Sequence, residues 1–139
     1  MISQTAEYAL RAVVCLAEDP DGPLTTQEIA LRTQVPAGYL AKVLQGLAKS
    51  GLVSSQRGPS GGFTLSRPLT EITVLDVLDA VDPLKRIRSC PLGIPSHRDH
   101  LCSLHRRLDA AMASAEESFR KTTIADLLGD SEYPMPLQG

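Results

Sequence analysis

Five side chains able to ligate a metal or carry thiol chemistry crowd one stretch of this 139-residue chain: Cys90, His97, His100, Cys102 and His105. All three histidines and two of the three cysteines fall within these 16 residues. Thiolate and imidazole are the donors that zinc and iron–sulfur clusters take. Cys102 and His105 stand three apart, so on a helix they share a face. The Cys-x11-Cys spacing is not that of a zinc knuckle. Arg86, Arg88, Arg98, Arg106 and Arg107 surround the stretch, and nearby cations favour the thiolate. Three chemistries stay open on the residues alone: a metal or cluster centre, a redox-active thiol pair, or reduced thiols among unligated loop histidines. An odd cysteine count suits thiols or ligands better than disulfides in a cytoplasmic chain. Cys15, on an apolar helix face, reads as core.

A second stretch carries recognition chemistry. In residues 52–67, LVSSQRGPSGGFTLSR, two short strand-like runs flank a Gly-rich turn, which is a β-hairpin with Arg57 at its tip. Two helical patterns precede it. Thr25 or Thr26 caps the first, which runs to about Thr33 and buries Ile29, Ala30 and Val35. Pro36 opens the second, which buries Leu40, Val43, Leu44 and Leu47 and reaches Lys49, with Gly51 just beyond. Helix, turn, helix and a cation-tipped hairpin make a winged helix-turn-helix. That unit lays its second helix in the major groove. On it Ala37, Gly38, Tyr39 and Lys42, with Pro36 at its start, face the DNA. Lys42 donates to guanine or phosphate, while Tyr39 reads either as a contact or as a half-buried aromatic. Thr25, Thr26 and Gln27 put helix N–H groups before a phosphate. Arg57 enters the minor groove, and Ser55 and Ser60 touch the backbone. Gly58, Gly61 and Gly62 shape the wing.

The rest positions these two sites. Residues 4–17 form a helix broken by the Asp19–Gly22 turn, and Thr70 or Thr73 caps another helix that ends before Pro83. Leu101, Leu104, Leu108, Ala111, Met112, Ala115 and Phe119 repeat near a heptad. A stripe of that length seldom covers itself, so a dimerisation helix is expected, against packing on the first helix of the same chain. The fold expected is mainly α with a small β-hairpin wing. It divides into a DNA-binding domain over 1–83, a Cys/His-bearing loop over 84–100, a dimerisation helix over 101–128 and a flexible tail over 129–139.

Composition sets the limits. Hydrophobic residues make up 42% and aromatics 4%, with no Trp, so the core is aliphatic. No apolar run nears the roughly 20 residues of a membrane span. The N-terminus lacks a signal-peptide pattern, and a cytoplasmic protein is expected. The net charge of −2 hides an uneven distribution. Across 25–67 the cations Arg32, Lys42, Lys49, Arg57 and Arg67 face the single acid Glu28, a local balance of +4. An enzyme is not expected: no nucleophile sits beside a base, and the Gly-rich segment lacks the lysine and helix of a phosphate-binding loop.

Three segments, EYALRAVVCLA, VPAGYLAKVLQGLAKSGLVSSQRGPSGGFTLSRP and EITVLDVLDAV, together with the Cys-bearing loop and long helix, resemble the Rrf2 family of bacterial transcription regulators over about residues 1–128. The resemblance implies a homodimer with paired long helices, bound to a pseudo-palindromic operator in double-stranded DNA. It also implies a repressor responding to redox, iron–sulfur or nitric oxide status. Cluster-binding members often carry Cys-x5-Cys-x5-Cys. Here Cys90 and Cys102 match the outer pair, and Ser96 replaces the middle cysteine. The resemblance then favours a [2Fe–2S] cluster held by Cys90, Cys102 and His105 with Glu7 of the other subunit, His97 or His100 being alternatives. Glu7 alternatively pairs with Arg11. Zinc, or a metal-free regulator or interaction module answering to a small ligand or partner protein, completes the set. Ala41 and Lys42 replace the acidic or amide side chains with which some members read bases, so a different operator is expected.

Overall fold

Alanine at positions 6, 9 and 12 lets the first helix, α1 (Gln4–Glu18), be approached closely from several sides. In the computed structural model, which describes residues 2–138, it packs against nearly every other element of the body. Ser3 caps it, its Oγ accepting from the Ala6 N–H at 3.1 Å. Ala9, Ala12, Val13 and Leu16 are buried against the helices that follow, and Cys15 is buried with them, as expected of a core thiol.

Thr25 is the residue that caps α2 (Thr26–Thr33), accepting from the Glu28 N–H at 3.1 Å. The turn then passes through Gln34 in the left-handed region (φ 58°). Pro36 stands one residue earlier than expected, as the N-cap of α3 (Ala37–Lys49), and its carbonyl accepts from the Leu40 N–H at 2.9 Å. Leu40, Val43, Leu44 and Leu47 are all buried, and Gly51 follows the helix with φ 79°.

The wing pairs β1 (Val53–Gln56) with β2 (Gly62–Leu65), in the register Val53↔Leu65 to Gln56↔Gly62. A third, single-residue rung was not anticipated. Leu24 bridges Phe63, with N–H···O distances of 2.7 and 3.0 Å, and ties the wing to the start of α2. A short 3₁₀ turn (Leu69–Glu71) leads to α4 (Val74–Val81), whose N-terminus is closed by a reciprocal Thr73/Asp76 capping box.

After the 84–100 loop, the helix expected over 101–128 is divided. It begins at Ser103 with Cys102 as N-cap, runs as α5 (Ser103–Lys121), and stops. The physical cause is a β-bridge: the Val74 N–H donates to the Thr122 carbonyl and the Ile124 N–H to the Ile72 carbonyl, each at 2.8 Å. Thr123 then caps α6 (Ile124–Gly129) with Asp126, and Ile124 is fully buried. Within α5, Phe119 joins Ala6, Val74 and Leu78 in a small core, while Leu104 and Leu108 remain 61% and 45% exposed. The chain thus covers one end of the stripe and leaves the other open. In the segment expected to be a flexible tail, Leu137 and Gln138 line a hollow with Arg11, Arg32, Thr33 and Gln34.

Candidate nucleic-acid interface and thiol segment

Of the five cations across 25–67, two are spent inside the fold. Arg32 pairs with Asp19 at 3.1 Å and Arg67 with Asp76 at 3.8 Å. Among the described residues Lys42, Lys49 and Arg57 form no ion pair. These three stand exposed on α3 and at the wing tip, with Ser55 and Ser60 exposed on the wing beside Arg57. Ala37, Gly38 and Ala41 are exposed and short, and Gln27 lies exposed in the first turn of α2. Thr25 and Thr26 are half-buried, and the Thr25 hydroxyl is already engaged as the cap.

Tyr39 is anchored rather than free. Its hydroxyl shares a 2.5 Å hydrogen bond with Thr5 Oγ1, and its ring meets Tyr8 edge to face at 5.3 Å. Arg11 lies over the Tyr8 ring at 5.3 Å and donates to the Thr33 carbonyl at 3.0 Å, so α1 braces both helices of the reading unit. Gln45 lies beyond the first turns of α3 and is not among the residues expected from the sequence to face DNA. It is exposed on the side that also carries Lys42 and Lys49. The spacing 42, 45, 49 is the signal that finds it.

The thiol segment is built as two separate pairs. Cys90 Sγ lies 3.6 Å from His97 Nδ1, and Cys102 Sγ lies 3.3 Å from His105 Nδ1. A turn closed by the Gly93 N–H on the Cys90 carbonyl (3.1 Å), with Gly93 at φ 67°, wraps the chain round the first pair. The Ile94 N–H, aided by those of Leu92 and Gly93 and by His97, pulls the Cys90 thiol down to about 7 against the opposing effect of burial. A cleft of about 280 Å³ opens there, lined by Cys90, Ile94, His97 and Arg98. His100 is exposed, as is Ser96. Iodoacetamide labelling read by mass spectrometry should therefore give Cys90 a midpoint near pH 7. Buried Cys15, whose thiol burial pushes up, should resist labelling until the protein unfolds. A Cys90 midpoint near the ordinary thiol value of about 8.5 would contradict the N–H cradle.

The ligand set expected from the resemblance is not gathered by one chain. Among the described residues no three His, Cys, Asp or Glu side chains converge where a metal ion could be held. Glu7 faces Arg11 instead, at 2.9 Å. Cys90 and Cys102 each keep a histidine partner of their own, so a [2Fe–2S] cluster does not fit this arrangement of a single subunit.

What the segment does hold firmly is the loop's start. Arg86 donates from Nε and Nη2 to the two oxygens of Asp109 on α5, at 2.7 and 2.8 Å. The Ile87 N–H adds a third bond at 2.8 Å. Arg86 also lies 3.5 Å from Glu116. This bidentate clamp holds the Asp109 carboxyl well below the usual carboxylate range.

Comparison with known proteins places this geometry. Residues 2–130 match the family described as Rrf2, iron-dependent transcriptional regulator. An HTH-type transcriptional regulator of Aquifex aeolicus is 32% identical over 135 residues, covering 95% of this chain and 94% of that protein. Among solved structures, IscR of T. potens superposes with a TM-score of 0.77 at 27% identity, covering 94% of this chain and 88% of that one. CymR, the global cysteine regulator of B. subtilis, gives 0.75 at 25% identity, covering 91% and 95%. The chain belongs to the Rrf2 family and is a DNA-binding transcriptional regulator, not an enzyme.

Proposed function

We propose that this Rrf2-family regulator is a cytoplasmic homodimeric repressor that grips a pseudo-palindromic operator with two copies of α3 and the wing. In this reading its affinity is set by the redox and iron status of the Cys90–Cys102 segment. One observation carries the DNA half: Lys42, Lys49 and Arg57 are cations that form no ion pair among the described residues, presented on the helix and hairpin that a winged helix applies to a duplex. The open leucines of α5 support the dimer. Two-fold pairing supplies the second reading head that a single unit, with so few phosphate contacts, needs.

The regulatory half rests on connectivity. The thiol loop is clamped by Arg86 to Asp109 on α5, and the same helix bears Cys102 at its N-cap and the open leucines Leu104 and Leu108 in its first two turns. Oxidising, alkylating or ligating the Cys90 thiolate removes the acceptor around which residues 92–94 are ordered. The change reaches α5 directly, and with it the spacing of the two reading heads. A cluster shared between subunits would need Cys90, Cys102 and His105 brought together and Glu7 released from Arg11. Nothing in the proposed coupling depends on it, and zinc or an unligated thiol segment would act through the same clamp. Visible thiolate-to-iron absorption in protein purified without oxygen separates an iron centre from a metal-free regulator answering to a small ligand or partner.

Operator binding tests the reading. Anisotropy titrations on a duplex selected from a random pool should show affinity falling steeply with salt, since each phosphate contact releases counterions. Arg57→Ala should weaken binding about tenfold and lower the salt slope by about 1. An unchanged slope and affinity would remove the wing from the interface.

A further inference from the structure

On the exposed side of α3 the side chains divide by what they are able to say to a base. Tyr39 has turned back: its hydroxyl is bonded to Thr5 and its ring is set against Tyr8. Ala37, Gly38 and Ala41 carry no polar side-chain atom, but their small size lets the helix backbone come close to a groove wall. Lys42 and Lys49 offer donors and no acceptor, so they suit guanine or phosphate without telling A·T from T·A. Gln45 is different. Its planar amide holds a donor and an acceptor side by side, the complement of the N6 donor and N7 acceptor that adenine shows in the major groove.

We infer that Gln45 is the base-discriminating residue of this protein, reading an adenine at one position of each half-site. The inference rests on α3 being the DNA-reading helix. Lys42 and Lys49, one turn before it and one after, flank it on the same face. The helix is also held in a fixed rotation. Gly46, the next residue, faces the end of α4 so closely that an added Cβ would lie 3.3 Å from Val81 Cγ1 and 3.5 Å from the Ala80 carbonyl. A residue in the middle of the helix reaches base edges when the helix lies along the groove. The missing bulk at 37, 38 and 41 permits that pose.

The test is selection of bound duplexes from a random pool, followed by sequencing, with the parent chain and three surface variants. The parent should enrich adenine at one position per half-site. Gln45→Ala should lose that preference alone, by about 5- to 100-fold, with the other positions kept. Gln45→Glu should shift the same position toward cytosine, whose N4 donates to a carboxylate. Lys49→Ala should weaken all sequences alike. An adenine preference that survives Gln45→Ala in a protein still selecting an operator overturns the inference and leaves α3 as the reading helix. Failure of the parent to bind any duplex overturns the DNA reading itself, and the inference with it.

Discussion

Gly62→Ala is expected to destabilise the protein by about 3 kcal/mol and to weaken operator binding severely. The obstacle is steric. Gly62 has φ +145°, a conformation that side chains rarely adopt, and a Cβ there would lie 2.5 Å from the Leu24 carbonyl oxygen and 2.6 Å from its carbon. Both are backbone atoms and are unable to swing aside. The closeness exists because Leu24 and Phe63 exchange two backbone hydrogen bonds, and Leu24 is itself 5% exposed core. Alanine must either break that exchange, at about 1 kcal/mol per bond, or keep it in strained backbone costing 1–3 kcal/mol. The residue after Leu24 is the α2 cap, so the wing and the helix that would face a phosphate are disturbed together. Urea unfolding should show a lowered midpoint with an unchanged slope, and anisotropy should show the loss of affinity. Gly38→Ala is the matched control. It is helical with open space around it, so it should be neutral or slightly stabilising. Equal midpoints for Gly62→Ala and the parent would mean that the Leu24 rung adds nothing.

The same rung is a feature of the fold that the sequence does not display. Periodicity exposed α1, α3 and their buried faces, because Leu40, Val43, Leu44 and Leu47 repeat at the helical period. The Gly-rich hairpin was legible because glycines punctuate it between two short β runs. The rung at Leu24 was not, since a single-residue bridge has no period and depends on a partner 39 positions on. The break after Lys121 was hidden for a related reason. Thr122 and Thr123 are poor helix formers, but a long helix absorbs such residues, and the chain leaves the helix here because Val74 and Ile72 offer it a ladder. Capping signatures were readable but ambiguous: Thr25 and Thr26 compete for one role, and geometry alone decides it. The cysteines and histidines looked like one cluster because they are crowded in sequence. In the fold they separate into Cys90–His97 and Cys102–His105, because the loop turns back on itself at Gly93 while the second pair sits across the first turn of α5. The resemblance supplied Glu7 as a ligand. The alternative that helical spacing offered, a pair with Arg11 four residues along the same helix, is the one the fold makes.

The second large effect concerns the uncovered end of α5. A chain carrying both Leu104→Asp and Leu108→Asp is expected to run as a monomer in sedimentation and to lose at least about 100-fold in affinity for a full operator. It should keep the parent's affinity for a half-site and its helical circular dichroism. The two leucines are one turn apart and exposed, so their side chains make one strip with the exposed Ala111 beyond them. Burying such a strip against its symmetry mate removes apolar surface from water, and each aspartate would instead require a charge to be desolvated there. Because Phe119 at the far end is what α5 contributes to the body's own core, the substitutions leave the fold's internal packing alone. Loss of affinity then reports linkage. Two reading heads held together convert the second half-site's capture into an intramolecular step, and separation removes that advantage without altering any contact to DNA. A doubly substituted protein that still sediments as a dimer would place the two-fold elsewhere. One that is monomeric yet binds the full operator as tightly as the parent would mean that a single head suffices, and the coupling from Cys90 through Asp109 to head spacing would have nothing to act on.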